Sequence, residues 1–338
     1  MSSLDYKISV IIATYNGEKY IEKELDSIRA QSIPVNEVLI GDDCSKDNTR
    51  SIVNKYIDKY NLSSWRLIEN QTNLGLSKNF FNLLSMATGD YIFIADQDDE
   101  WMNNKVESMV KIMNSDHDIM CLSSSFDIID KNSNIIEAPK GLTNIMSIDD
   151  GSIIDINTED LIGHSMIRGC MMCIRKELIN VILKTQLPEH LSMDLLCHDW
   201  AISIVASIVG KCKQYNKVLA HYRIHGENTS LENLDRLHMN RQIKRRINGL
   251  EMSIKSHEDL LLSKNIKTFL SDNISVKIKN QILFEEKRLQ FLKKSSFVSY
   301  IKLILNVKKY RCYYRSFFQG IKVLIGDLIY VIESDRGN

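Results

Sequence analysis

The chain has 338 residues, enough for one large domain with an extension or for two modest ones. Lysine plus arginine equals aspartate plus glutamate at 43 each, so no global field singles out nucleic acid as a partner. The expected location is the cytoplasm: no basic-then-apolar leader opens the sequence, no apolar run is long enough for a membrane span, and seven scattered cysteines suit a reducing compartment.

In chain order, KISVIIATYNG (7–17) is a short β-branched run ended by turn residues, the pattern of a buried strand. Ile21, Leu25 and Ile28 then recur at helical spacing. The same alternation repeats: a strand into GDDCSKDNT, a helix over TRSIVNKYIDKY, a strand into a loop with NLG, a helix over FFNLLSMAT, and a strand in DYIFIADQDD. Helices alternating with apolar strands predict an α/β fold with a largely parallel sheet covered on both faces. Ligands of such sheets gather beyond the carboxyl ends of the strands. The polar clusters fall there: Tyr15 and Asn16, Asp42 and Asp43, Asn73, then Asp96 to Asp99.

Three carboxylates within four positions, Asp96, Asp98 and Asp99, repel one another unless a cation sits among them. Hard oxygen donors suit Mg or Mn, which bind substrate phosphates. The chain has neither G-x-G-x-x-G nor a Walker-type glycine loop, so a phosphate-bearing ligand would be held through a metal. Cys170 and Cys173 have C-x-x-C spacing but no second pair, and their flanking Met171, Met172 and Ile174 suggest core filling.

The segments ISVIIATYNGEKYIEKELDSI, LIGDDCSKDNT, NLGLSKNF, GDYIFIADQDDEW, HDW and HYRIHGEN together resemble family 2 inverting glycosyltransferases of the GT-A fold. Within that family they are most similar to bacterial rhamnosyltransferase-type enzymes of surface polysaccharide assembly, over about residues 7–229. The resemblance implies a nucleoside-diphosphate sugar donor and a saccharide or lipid-linked acceptor. It sets Ala13, Thr14 and Tyr15 against the base, Asp43 hydrogen-bonded to it, and Asn73 and Lys78 near base and ribose. Asp42 is expected to support its loop. A carboxylate accepting the imide N–H of uracil or thymine favours a UDP or dTDP donor. Asp96 would face ribose or metal, Asp98 would ligate the metal, and His225 would complete that site, while Asp99 and Trp101 shape the loop. Asp199, between His198 and Trp200 on the acceptor side, matches the family's catalytic base, and Gly169 matches a glycine that lets the acceptor sugar approach. The membrane-embedded synthases carry Q-x-x-R-W; here Gln242 to Arg246 read QIKRR without the tryptophan, which predicts a basic helix face instead.

Beyond about residue 230 the pattern is helical, giving an expected catalytic domain over 1–229 and a helical region over 230–338. From Lys287 to Gly326 there are ten lysines and arginines and no acid, interleaved with Phe291, Phe297, Tyr300, Tyr310, Tyr313, Tyr314, Phe317 and Phe318. This reads as a membrane-surface element, or as a subdomain packing its aromatics on the catalytic domain or on a second copy of the chain. Two further classes compete with the transferase: a nucleotidyltransferase, which would show a glycine-rich basic phosphate loop, and a sugar-nucleotide-binding scaffold without turnover.

Overall fold

Alternation of buried side chains sets the central sheet. Every residue of β1 (Ile8–Thr14) is buried, with Ile11 and Ala13 in one core cluster and Ile8, Val10 and Ile12 in the other. Both faces of the strand are therefore covered, as a parallel sheet requires. The computed structural model describes residues 6–137, 148–191, 196–226, 242–294, 297–306, 309 and 317–336.

Strand β1 lies between β2 (Glu37–Asp42) and β4 (Tyr91–Asp96), and β3 (Trp65–Glu69) forms the outer edge; all these pairings are parallel. Helices α1 (Ile21–Arg29), α2 (Thr49–Lys59) and α3 (Leu76–Met86) connect them. The sheet continues through β9 (Met172–Arg175), β6 (Ile119–Ile129), β10 (Lys211–Arg223) and β5 (Glu100–Trp101), in the order β3-β2-β1-β4-β9-β6-β10-β5. Two short strands lie off this path, β7 (Ile135–Ile136) on β6 and β8 (Ile153–Asp155) on β10.

The sheet is less uniformly parallel than the alternation predicts. β6 and β10 are parallel, but β9 runs antiparallel to both β4 and β6. The chain enters β9 from the rim where Gly169 and Cys170 lie, with no crossover helix to return it to the other end, so it must run backwards. Helices α4 (Lys105–Ser115), α5 (Thr158–Leu161), α6 (Lys176–Ile182), α7 (Leu187–His190) and α8 (His198–Val209) complete the catalytic layer.

Among the described residues the helices that follow are α9 (Gln242–Leu262), α10 (Lys264–Lys267), α11 (Asp272–Lys294), α12 (Phe297–Ile304) and α13 (Phe317–Arg336). Leu260, Ile266 and Ile278 join the same apolar cluster as Trp200, so the first part of this region shares the core of the sheet. A separate cluster holds Leu250, Phe284, Phe291, Leu292, Leu303, Leu324 and Val331. The buried Asp327 carboxylate takes both Arg288 (2.6 and 3.0 Å) and Arg246 (2.7 Å), fastening α13 to α11 and α9. Arg246, read as a basic helix face, is thus part of an internal ion pair.

The basic, aromatic stretch is not one amphipathic helix. Arg288 and Phe291 are buried, and Tyr300 packs on Phe291 with ring centroids 5.3 Å apart. Their side chains face inward because Asp327 and the second cluster lie there. Tyr310, Tyr313 and Tyr314, and the side chains of Phe297, Phe317 and Phe318, lie outside the described residues. Among the described residues no helix is long and apolar enough to cross a membrane.

Candidate active site

The carboxyl ends of β1, β2 and β4 are stapled to one another. Gln97 accepts from Thr14 Oγ1 (2.5 Å) and from the Tyr15 N–H (3.0 Å), and its Nε2 donates to the Tyr15 carbonyl (3.1 Å). Ala13 and Thr14 are buried, while Tyr15 is 44% exposed and offers its ring to the rim. Gly17 lies so close to this clamp that a Cβ would come within 2.2 Å of Gln97 Oε1 and 2.9 Å of Thr14 Oγ1.

Asp43 is only 4% exposed, because its carboxylate ties down the loop after β3. It accepts from Asn70 Nδ2 (2.9 Å), Leu74 N–H (2.7 Å) and Gly75 N–H (2.8 Å). Three of its four lone-pair positions are thereby used, leaving one for a base. Asp42 supports its own loop as expected, accepting from the Ser45 N–H (3.0 Å). Asn73 is exposed and donates to the Asp43 carbonyl (3.0 Å). Lys78 pairs at the surface with Glu189 (2.8 Å), at the start of α3 and away from the acid loop's own contacts.

Arg223 organises the acid loop. Its side chain is fully buried; Nε donates to the Asp98 carbonyl (2.8 Å), Nη1 to the Asp130 carbonyl (2.9 Å) and Ser133 Oγ (3.1 Å), and Nη2 to Glu100 Oε1. The Arg223 backbone N–H donates to Asp99 Oδ1 (3.1 Å). Two residues on, His225 Nε2 meets Asp98 Oδ2 at 2.7 Å. Tyr20 covers both, with His225 4.8 Å from its ring centre and the Arg223 guanidinium 4.9 Å. Sequence reasoning found the histidine and missed Arg223, Gln97 and Tyr20. The available signal was a cation in period-2 register with His221 and His225 at the end of β10.

The acids suit a divalent cation. Among the described residues, one ligand atom each from Asp96, Asp99 and Cys170 lie within 4.8 Å of one another, and Asp99 Oδ2 is buried with no partner. Burial and the adjacent Asp98 carboxylate push Asp96 up to about 6, although part of its surface remains accessible. Burial, then Asp98 and Asp96, drive Asp99 well above the usual carboxylate range. A bound cation relieves such crowding. Carboxylate oxygens from Asp96 and Asp98, with the His225 imidazole, match Mg or Mn. Cys170 does not: burial pushes its thiol up, so it stays protonated. The expected ligands Asp96, Asp98 and His225 thus fall into a contacting pair, Asp98 with His225, and an inner acid beside Asp99 and Cys170.

Asp199 stands in the first turn of α8, where the helix dipole favours a carboxylate. Its Oδ1 accepts from the Trp200 N–H (2.7 Å) and Cys197 Sγ (2.6 Å), while Oδ2 has no partner among the described residues. The flanking residues act differently from the expectation. Trp200 is wholly buried, donates Nε1 to the Leu161 carbonyl (2.8 Å) and meets His257 of α9 edge-on, so it cannot touch an acceptor. His198 is buried, stacks on Phe80 at 4.4 Å, and is held below its usual pKa by desolvation, hence neutral. The room left by Gly169 is filled by this imidazole: a Cβ would lie 2.6 Å from His198 Nε2.

Comparison with known proteins places this rim in context. Residues 9–181 match the family model described as Glycosyl transferase family 2. An uncharacterized glycosyltransferase, alr2836 of Nostoc sp., is 28% identical over 225 residues, 67% of each chain. The poly(ribitol-phosphate) beta-N-acetylglucosaminyltransferase TarS of Staphylococcus aureus is 42% identical over 95 residues, 28% of this chain but 16% of its own length. The structure of TarS residues 1–349 with UDP-GlcNAc superposes with a TM-score of 0.60 at 17% identity, covering 98% of this chain and 92% of that one. The mannosyltransferase PcManGT of Pyrobaculum calidifontis, solved with GDP-Man and Mn2+, gives 0.54 at 16% identity, covering 98% and 88%.

Proposed function

As a member of glycosyl transferase family 2 with the GT-A fold, the chain is a glycosyltransferase, and we propose that it moves a sugar from a nucleoside diphosphate to a hydroxyl with inversion at the anomeric carbon. The observation carrying this reading is the convergence on one rim of the Asp98–His225 pair, the crowded Asp96, and the Asp199 carboxylate with one oxygen unengaged.

In this reading Tyr15 stacks on the base, and Asp43 uses its remaining lone pair on a uracil or thymine N–H. Asn73 lies beside them, whereas Lys78 would have to leave Glu189 to reach the ribose. Mg or Mn, held by Asp98 and His225 with Asp96 beside them, would supply positive charge to the departing diphosphate. Asp199 Oδ2 takes the acceptor hydroxyl proton while Oδ1 stays pinned by two donors, so the base keeps its orientation as charge shifts. The acceptor oxygen attacks from the face opposite the leaving group, as inversion in a single displacement demands, through an oxocarbenium-like transition state.

TarS, a poly(ribitol-phosphate) beta-N-acetylglucosaminyltransferase solved with UDP-GlcNAc, supports a UDP donor, and the acceptor in this reading is a hydroxyl of a saccharide or lipid-linked precursor. The rhamnosyl likeness of the motifs keeps dTDP-rhamnose beside UDP-GlcNAc as a donor. The test is a panel of dTDP-rhamnose, UDP-glucose, UDP-galactose, UDP-GlcNAc and GDP-mannose, each with Mn2+ and with EDTA, read by diphosphate release and thermal shift. One donor should respond, and only with the metal. A folded protein indifferent to all five would sink the proposal.

A further inference from the structure

On the β9 side of the rim lies a guanidinium that meets two aromatic rings and, among the described residues, no acceptor. Arg168 immediately precedes Gly169, and its charge rests against the rings of Tyr222 (4.4 Å to the centroid) and Phe126 (5.7 Å). Among the described residues its side chain makes no hydrogen bond or ion pair, and its Nε is buried without an acceptor. The carboxylates of Asp96, Asp99 and Asp199 are near enough to act on it through space, yet none pairs with it. A buried donor left without an acceptor is destabilising, and more so on a charged group. Such a position is explained when a ligand supplies the acceptors.

Beside Arg168 is a void of about 60 Å³, lined also by Ser123, Ser124, Phe126 and Gln214. Ser124 Oγ, on the same void, is a second buried polar atom without a partner. One water needs only about 10–15 Å³, so the space admits a larger polar group. The strand order sets its place relative to the acids. The nucleotide-side residues lie at β1 and β2 and the acids at β4, whereas Arg168 enters β9 and the void is walled by β6 and β10. The acids therefore separate the void from the nucleotide.

We propose that Arg168 and Ser124 form a receptor for an oxyanion, a phosphate or carboxylate, carried by the acceptor. The word acceptor rests on the glycosyltransferase reading above; the oxyanion site does not. The planar fork of a guanidinium matches two oxygens of such a group, and the two rings behind it keep the fork in one plane. An acceptor anchored there brings its hydroxyl toward Asp199, on the neighbouring helix whose His198 touches Gly169.

Inorganic phosphate is the probe, titrated calorimetrically into the full chain with UDP and Mn2+ saturating, so that any donor diphosphate position is already filled. Wild type should bind it, Arg168→Gln at least tenfold more weakly, and Arg168→Lys in between, with UDP affinity within twofold of wild type in both. Circular dichroism checks each fold. Were Arg168→Gln to unfold, Ser124→Ala removes only a hydroxyl and should still weaken phosphate threefold or more. Equal phosphate affinity in wild type and the variants, or no binding by wild type, overturns the proposal. So does a parallel loss of UDP affinity, which would assign the guanidinium to the donor diphosphate. Phosphate binding that depends on Arg168 in a chain binding no nucleotide supports the oxyanion site while removing the transferase reading.

Discussion

Two acids in the first turns of helices, Asp199 on α8 and Glu24 on α1, meet opposite surroundings. Asp199 is partly exposed, with two donors on one oxygen and the other oxygen unengaged among the described residues. Asp199→Asn keeps that shape and removes the basicity. Transfer should fall by about 10²–10⁴-fold, with nucleotide affinity unchanged; wild-type turnover in this variant would eliminate Asp199 as the base. Glu24 is fully buried, Oε1 has no partner, and desolvation followed by the Asp99 charge raises its pKa well above the usual range. A carboxyl with a raised folded pKa stabilises the fold most below the unfolded value, and that contribution is lost as pH rises through the folded value. Urea midpoints should therefore fall from mildly acid toward alkaline pH. Glu24→Gln should flatten the slope and stabilise the protein at pH 8 by about 1–3 kcal/mol, the scale of an unmet buried polar group.

At the scale of elements, β10 and the loop after β4 form one unit through Arg223, which spans 125 residues of sequence to reach Asp98 and 93 to reach Asp130. Arg223→Lys keeps the charge but not the fork, and the acid loop should lose its fixed orientation. Metal affinity read by Mn2+ electron paramagnetic resonance should drop about 10–100-fold, the range for groups that orient ligands. Unchanged Mn2+ affinity would show that the loop holds its shape without the guanidinium. These separations also explain what was legible beforehand. The first four strands follow from short apolar runs ended by turn residues and the three helices from period-3.6 patterns, each contained within its own segment, and the acids stand where the strand ends put them. Gln97, Arg168 and Arg223 draw their roles from partners on distant strands, which no local pattern encodes. Trp200 and His198 illustrate the converse. The motif around Asp199 was visible, but helix geometry turns its neighbours inward, one into the core and one against Phe80 and Gly169.

For the molecule as a whole, the helical end and the central sheet share a core through Leu260, Ile266 and Ile278, and α9 reaches the helix of Asp199 through the His257–Trp200 contact. Asp327→Ala would remove the buried carboxylate shared by Arg288 and Arg246, and a loss of about 3–5 kcal/mol is expected, measurable as a lower urea midpoint. Outward, α12 and the turn after it expose Ile301, Ile304 and Leu305, the last at 79%, beside Lys302. This combination suits an anionic lipid surface. Co-sedimentation with phosphatidylglycerol vesicles should fall in an Ile304→Glu, Leu305→Glu double variant; equal binding would remove the membrane role for this face.

The shared carboxylate of Asp327 also sets an order of events during translation. Arg246 and Arg288 leave the ribosome 81 and 39 residues ahead of it. At about 5–20 residues per second, Arg246 waits roughly 4–16 s for its counter-charge. The second apolar cluster, which also draws Leu324 and Val331 from α13, can close only once that helix has emerged.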